Sequence, residues 1–253
     1  MCKTVREDIP PTINYWIFKP TVAKYIKQKN DYQKMSGHSM ISHKHKLIFV
    51  HLPRTGGTAI ESVICGKSWG KIDKKTKHVD WKVAKKIYKK EWDGYLKFGV
   101  VRNPWDLMVS LYHSHRGLRQ RVHKKNGQCI KVSWDEWLKS PILAPGEQDI
   151  FRTTAPMSDC LGPDIDVILR FENLQNEFGD MCLKHIGSQL ALPHYSNSIE
   201  QTNIGFHSRP HRSTINRRHY STRYNDEQIE IVRKLFVDDL MTYAYMFEDK
   251  RDE

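Results

Sequence analysis

Three short apolar segments along the chain have the pattern of buried β-strands. Val, Ile, Leu and Phe dominate them, and they occupy residues 46–50, 96–101 and 166–171. After each of them apolar residues recur at helical spacing, over residues 58–65, 104–116 and 174–186. The repeated order of strand, turn and helix is typical of parallel βαβ units. The pattern therefore predicts an α/β fold with a central, mainly parallel sheet.

The same criteria predict the other elements. Apolar residues at helical spacing indicate two more helices, at residues 81–90 and 134–138. One last helix is predicted after Asn225, because Asn225 and Gln228 have the spacing of a capping box and an apolar face continues to Leu240. Two strongly basic segments are predicted as turns or loops, residues 117–126 and 193–218.

The length of 253 residues is enough for one large domain with a substantial core. Residues 1–45 are basic and lack a regular apolar pattern, so we interpret them as an N-terminal extension ahead of an α/β domain over residues 46–253. Aromatic residues accompany the basic ones in this extension, a composition that suits contact with nucleic acid. A solvated arm folded over the domain is the interpretation that we favour.

The formal charge of +12 predicts an anionic partner, which could be a cofactor, a polysaccharide, a nucleic acid or a membrane surface. No apolar run approaches the roughly 18 residues of a membrane-spanning helix. The first residues contain no hydrophobic signal core, and we therefore expect a cytoplasmic protein. The five cysteines are scattered without a C-x-x-C spacing, so we expect free thiols and no metal site.

The loop between the first predicted strand and helix has the composition of an anion site. Gly56 and Gly57 allow a sharp turn and bring backbone N–H groups close to a ligand. The helix that follows adds its unsatisfied N–H groups and the positive end of its dipole. Thr55 and Thr58 offer hydroxyl donors, and Arg54 adds a permanent cation. This set of groups suits phosphate or sulfate; an ordinary Gly-Gly turn is the alternative.

A second polar turn follows the next predicted strand, at Arg102. Ligands of parallel α/β sheets collect at the carboxyl ends of the strands, and Arg54 and Arg102 both follow such an end. Ser110 is two turns into the next helix, where it could share an anion with Arg102. The alternative is an ion pair between Arg102 and Asp106, with Ser110 on the helix surface.

Two segments, PRTGGT at residues 53–58 and VRNPWD at residues 101–106 with Ser110 following, resemble the sulfotransferase superfamily that uses 3'-phosphoadenosine 5'-phosphosulfate (PAPS). The branch related to carbohydrate 2-O-sulfotransferases and their bacterial relatives is the most similar. The resemblance implies a P-loop-like three-layer α/β/α fold. It also implies that the first loop, through Thr58 and Ala59, grips the 5'-phosphosulfate, and that Arg102 and Ser110 grip the 3'-phosphate.

The resemblance further implies transfer of a sulfuryl group to a hydroxyl acceptor, with a carbohydrate as the expected acceptor. Many members have Lys where Arg54 stands, and both residues can stabilise charge on the leaving oxygen. His78 resembles the position of the catalytic histidine of this branch, which makes it our candidate for the general base. A solvent-exposed loop histidine is the alternative, and His51, His113 and His115 are rivals because they flank the anion motifs.

Two other functions fit parts of the sequence. A nucleotide kinase or triphosphatase would need the P-loop spacing G-x-x-x-x-G-K-[ST] with its lysine, which the chain lacks. A non-catalytic protein that binds a polyanion or nucleic acid is the alternative favoured by the charge, although nucleic acid is the less expected partner. We therefore expect a sulfate donor nucleotide and a glycan hydroxyl as partners. Arginines between residues 209 and 223 could close over the donor, and no single one is chosen.

Overall fold

The computed structural model of the chain describes residues 40–64, 78–113, 122–125, 128–131, 133–139, 156–193 and 219–251. These residues belong to one compact unit, which spans residues 37–253. Most of the predicted extension over residues 1–45 lies outside the described residues, and so does nearly all of the predicted loop over 193–218. The domain boundary after residue 45 therefore stays a prediction.

The described residues contain six strands, which are β1 (Ile41–Ser42), β2 (Leu47–Val50), β3 (Leu96–Val101), β4 (Val122–Lys125), β5 (Gln128–Lys131) and β6 (Val167–Arg170). Four of them form the central sheet in the order β1–β2–β3–β6. β2, β3 and β6 are parallel, and β1 joins the edge antiparallel to β2. β4 and β5 form a separate antiparallel pair. The three strands predicted from the sequence are thus the parallel part of the sheet.

The described residues also contain eight α-helices, which are α1 (Gly57–Ile64), α2 (Trp81–Ile87), α3 (Pro104–Tyr112), α4 (Trp134–Lys139), α5 (Met157–Leu161), α6 (Leu174–Ile186), α7 (Asp226–Leu235) and α8 (Val237–Tyr243). Short 3-10 turns cover Phe171–Asn173 and Tyr220–Arg223. Every predicted helix is present, and the capping box of Asn225 and Gln228 begins α7. Two predictions were wrong in part: the basic turn over residues 117–126 contains β4, and the last helix is interrupted.

The interruption of the last helix lies at Phe236, between α7 and α8. Phe236 has φ −117° and ψ 26°, and its side chain is fully buried. Asp239 of α8 is also fully buried, and its carboxylate accepts the N–H groups of Met157 and Ser158 at 2.7 and 2.8 Å. Burial raises the pKa of this carboxyl, while the amide hydrogen bonds oppose that shift. Helical spacing does not reveal the break, because the apolar residues on both sides of it fit one pattern.

Alternate residues of the strands face two separate helical layers. Leu47 and Phe49 of β2 belong to a core that includes residues of α1 and α6. Ile48 and Val50, which point to the opposite face of the same strand, belong to a second core with residues of α2, α3 and α7. The sheet therefore lies between two layers of helices, and the predicted three-layer α/β/α fold with a mainly parallel sheet is confirmed.

Candidate functional site

The carboxyl ends of the parallel strands meet at one edge of the sheet. The register pairs Val50 of β2 with Gly99 of β3, and Val101 of β3 with Arg170 of β6. The loop that connects β2 to α1 and the turn that connects β3 to α3 therefore leave the sheet side by side. They are also in direct contact, because Arg102 Nη1 donates to the carbonyl oxygen of Arg54 at 2.7 Å. The structure therefore places the two predicted anion motifs next to each other.

Two residues of the first loop have left-handed backbone conformations, Arg54 with φ 66° and Gly56 with φ 80°. Such a conformation is uncommon for a residue with a side chain, and its strain is often found at functional sites. Gly56 also lacks room for a side chain, since a Cβ would lie 2.6 Å from Leu174 Cδ2. At Gly57 a Cβ would lie 2.0 Å from Nε2 of His51. The second glycine is thus required by the packing of a histidine ring, a reason that the sequence did not indicate.

Some hydroxyl and amide groups of this loop donate hydrogen bonds within the protein, and others face solvent. Thr55 is fully buried, and its hydroxyl donates to the carbonyl of Leu52 at 2.8 Å rather than pointing to an anion. The Ala59 amide donates to the carbonyl of Gly56 at 3.0 Å. Thr58 is exposed in the first turn of α1. The Thr58 hydroxyl and the N–H groups at the start of α1 are therefore better donor candidates than the Thr55 hydroxyl.

Arg54 and Arg102 have different partners from those expected. Arg54 Nε donates to Ser110 Oγ at 3.0 Å, so Ser110 pairs with the arginine of the first loop. The guanidinium of Arg102 forms an ion pair with Asp106, which is the alternative that the sequence also allows, with N–O distances of 2.8 and 2.6 Å. Arg102 is only 3% exposed, and its guanidinium lies 3.9 Å from the ring centroid of Phe171, just after β6.

The turn after Arg102 is fixed by a segment that the sequence analysis missed. We call residues 243–248 the C-terminal strap. Asn103 caps α3 by accepting the Trp105 N–H at 3.1 Å, and its side-chain amide donates to the carbonyl of Met246 at 3.0 Å and to the hydroxyl of Tyr220 at 3.2 Å. The Glu248 N–H also donates to that hydroxyl, at 2.9 Å. Burial raises the pKa of Tyr220 to about 12, so the phenol stays neutral here.

Arg170, the last residue of β6, and Glu172, just after it, attach the other end of the strap. The carboxylate of Glu172 accepts the backbone N–H of Asn103 at 2.6 Å and the hydroxyl of Tyr245 at 3.0 Å. Arg170 donates to the carbonyl of Tyr243 at 2.6 Å, and its guanidinium lies 4.8 Å from the ring centroid of Tyr245. Burial raises the pKa of Tyr245, which keeps its hydroxyl proton available to Glu172.

Three ionisable residues form a cluster beside the first loop. His51 follows β2 and is 2% exposed, and its Nδ1 lies 2.7 Å from Oε1 of the fully buried Glu61 in α1. His78 precedes α2, and its Nδ1 lies 3.1 Å from the backbone carbonyl oxygen of His51. The two imidazole rings are 4.4 Å apart between centroids. His113, by contrast, is exposed at the end of α3 against the ring of Tyr112, and His115 lies outside the described residues.

The sequence profile of the sulfotransferase family matches residues 37–246, which is most of the chain. The chain belongs to the sulfotransferase family. An uncharacterized protein of Archaeoglobus fulgidus is 26% identical to this sulfotransferase over 107 residues, which cover 42% of this chain and 80% of that protein. The predicted membership in the sulfotransferase superfamily is therefore confirmed. The family implies a nucleotide sulfate donor and a hydroxyl acceptor.

The described part of this sulfotransferase lacks both a cluster of side chains suited to a metal ion and a helix suited to a membrane. Among those residues, no group of three or more His, Cys, Asp or Glu side chains is arranged to hold a metal ion. No helix within the described ranges is long and apolar enough to cross a membrane. Of the arginines between residues 209 and 223, those up to residue 218 lie outside the described part, and Arg223 is exposed.

Proposed function

We propose that this sulfotransferase moves a sulfuryl group from PAPS to a hydroxyl of a carbohydrate. The observation that carries the proposal is the hydrogen bond from Arg102 to the carbonyl of Arg54, at 2.7 Å. PAPS carries anionic groups at both its 5' and its 3' positions, and one protein site must hold both. The contact brings two cationic turns together at the sheet edge where ligands of α/β folds collect, and this supports a site of that kind.

The first turn suits the 5'-phosphosulfate. Arg54 carries a permanent charge, and α1 begins at Gly57, so its N–H groups and dipole favour an anion. The Thr58 hydroxyl, exposed in the first turn, adds a donor. Negative charge develops on the leaving oxygen during sulfuryl transfer, as it does in phosphoryl transfer, and donors fixed before the reaction stabilise that charge most effectively.

The second turn suits the 3'-phosphate. The bonds of Arg102 to Asp106 and to the Arg54 carbonyl hold its guanidinium at the turn, and guanidinium groups match the geometry of phosphate oxygens. The Ser110 hydroxyl accepts from Arg54 and still has its own proton to donate. Asn103 caps α3 at this point, which adds a second helix N-terminus next to the first.

His78 is the proposed general base. A backbone carbonyl can only accept a hydrogen bond, so His78 Nδ1, at 3.1 Å from the His51 oxygen, must carry the proton. In the neutral imidazole Nε2 then holds the basic lone pair. We propose that Nε2 takes the proton of the acceptor hydroxyl as its oxygen forms a bond to sulfur. The bond from sulfur to the donor phosphate breaks in the same step, and 3'-phosphoadenosine 5'-phosphate leaves.

A transfer assay with radiolabelled PAPS over a panel of glycans and small alcohols tests the proposal. Labelled glycan is expected with the wild-type protein. The His78→Ala variant should lose transfer while it binds 3'-phosphoadenosine 5'-phosphate almost as tightly as the wild type. Normal turnover by this variant would contradict the role of His78, and a labelled small alcohol without any labelled glycan would contradict the carbohydrate acceptor.

Non-catalytic binding of a polyanion is the second candidate, which the formal charge of +12 favours. Thermal shift separates the two functions. Stabilisation by 3'-phosphoadenosine 5'-phosphate, but not by ATP with magnesium, is expected of a PAPS-dependent enzyme. Stabilisation by any polyanion, which salt then removes, is expected of the alternative.

A further inference from the structure

A buried pair of ionisable side chains packs directly against the Gly-Gly loop, and the steps proposed above do not use it. The His51 and Glu61 side chains are 2% and 0% exposed, and His51 Nδ1 lies 2.7 Å from Glu61 Oε1. Moving such groups out of water carries a desolvation cost that their attraction often only balances, and apolar residues of similar size would be as stable. The pair is therefore poorly explained by stability alone.

The ring of His51 is enclosed on several sides. It stacks on Phe49 with 5.1 Å between ring centroids and an angle of 20° between the ring planes. The ring of His78 lies 4.4 Å away at 58°. The backbone of Gly57 approaches so closely that a Cβ there would meet the ring Nε2 at 2.0 Å. The carboxylate of Glu61 holds Nδ1, and together these contacts restrict the movement of the ring.

His51 contacts His78 through both its backbone carbonyl and its ring. The His51 carbonyl accepts the proton of His78 Nδ1, and the His51 ring forms one wall beside the His78 ring. A shift of His51 would therefore change both the tautomer and the orientation of His78. Glu61 lies one turn into α1 and connects this helix back to the end of β2. It is the group that fixes His51 relative to the helix that begins the anion site.

We propose that Glu61 and His51 are positioning residues, which hold His78 with its lone pair on Nε2 toward the acceptor. This inference rests on the proposed function, since it assigns His78 the role of base. Neither residue exchanges a proton with the substrate. Glu61 acts on His51 through a hydrogen bond, and His51 acts on His78 through its carbonyl and its ring. The requirement is for an acceptor oxygen at the position of Glu61 Oε1, so side-chain length matters more than charge.

Steady-state kinetics of three variants test the positioning role. Glu61→Ala is expected to lower kcat about 10- to 100-fold, the range known for carboxylates that orient metal-binding histidines, while the KM for the donor stays within about twofold. Glu61→Gln keeps an acceptor oxygen at the same reach and should restore most of kcat. Glu61→Asp keeps the charge and withdraws the oxygen by one methylene, so it should resemble Glu61→Ala. If Glu61→Ala does not fold, the comparison of the Gln and Asp variants decides.

The matched control is Asp239→Asn. Asp239 is likewise fully buried, but its carboxylate caps α5 and does not contact the histidines. This variant changes an equally buried carboxyl and should keep its kcat. Equal losses of kcat in Asp239→Asn and Glu61→Ala would mean that a buried carboxylate acts only through stability, and the positioning role would be wrong.

Nitrogen NMR of the histidine rings tests the same inference without any substrate. In the wild type, the His78 signals, assigned by their loss in His78→Ala, should show a protonated Nδ1 and an unprotonated Nε2. In Glu61→Ala they should move toward a mixture of tautomers. Unchanged signals together with wild-type kcat would overturn the inference. A protein that shows the expected shift but transfers no sulfuryl group would instead contradict the proposed function.

Discussion

Arg102 and Arg54, 48 positions apart in the sequence, are joined by a hydrogen bond of 2.7 Å from the Arg102 guanidinium to the Arg54 carbonyl. The bond matters because it fixes the backbone of Arg54, which has a left-handed φ of 66°. The second turn therefore helps to set the shape of the first. Binding at the two ends of the donor should consequently be coupled, so that damage at Arg102 weakens the site that holds the other end.

The coupling predicts that Arg102→Lys fails to replace Arg102. Lysine keeps the charge but cannot reach Asp106 and the Arg54 carbonyl with one planar group. Hydrogen bonds to charged groups are worth about 1.5–3 kcal/mol, so affinity for 3'-phosphoadenosine 5'-phosphate should fall about 10-fold or more, measured by calorimetry. Arg233→Lys on the surface of α7, where Arg233 pairs with Glu230, is the control and should bind normally. Wild-type affinity in Arg102→Lys would refute the coupling.

Variants of two helix caps distinguish a loss of folding stability from a loss of affinity for the donor nucleotide. Asn103 and Asn225 cap α3 and α7, and replacing either by alanine should cost about 1 kcal/mol in the free energy of unfolding, measured by urea denaturation. Asn103 also holds Met246 of the C-terminal strap. Only Asn103→Ala should therefore weaken binding of 3'-phosphoadenosine 5'-phosphate as well. Equal affinities of the two variants would show that the strap has no influence on the donor site.

The periodic part of this architecture could be predicted from the sequence. Buried strands such as Leu47–Val50 and the helices after them follow from local apolar spacing, and the N-cap at Asn103 follows from one residue type before a proline. These features are confirmed because each of them depends only on residues that are close in the sequence.

The contacts inside the site could not be predicted in the same way. Ser110 pairs with Arg54 rather than with Arg102, because the side-chain directions at the end of the sheet decide the partner. The Asn103 side chain donates to the backbone carbonyl of Met246, 143 positions away. Because every residue type has such a carbonyl, the sequence does not indicate this partner. The sequence predicts that Gly57 gives a ligand access to the backbone, and the structure adds a second reason for this glycine, because the ring of His51 fills the space of its missing side chain.

The buried carboxyl of Asp239 predicts a dependence of stability on pH. Burial raises its pKa in the folded protein above the unfolded value, so the folded state binds the proton more tightly. Its contribution to the free energy of unfolding is therefore most favourable below the unfolded pKa, about 4, and is lost as pH rises through the folded pKa. In urea denaturation from pH 4 to 7, the wild type should lose stability relative to Asp239→Asn as pH rises. A constant difference between the two proteins would contradict this assignment.

The close approach of His51 to Gly57 predicts that Gly57→Ala is destabilising. The added Cβ would lie 2.0 Å from His51 Nε2, and the enclosed ring has little room to move. Overpacking of this kind costs about 1–3 kcal/mol, which a fall in the midpoint of thermal unfolding would reveal. Gly94→Ala is the control, because a Cβ there meets nothing within 4 Å. In the double variant His51→Ala/Gly57→Ala the added methyl should cost almost nothing relative to His51→Ala alone. If Gly57→Ala costs as much in that background as in the wild type, the glycine is required by its own backbone conformation and not by the histidine ring.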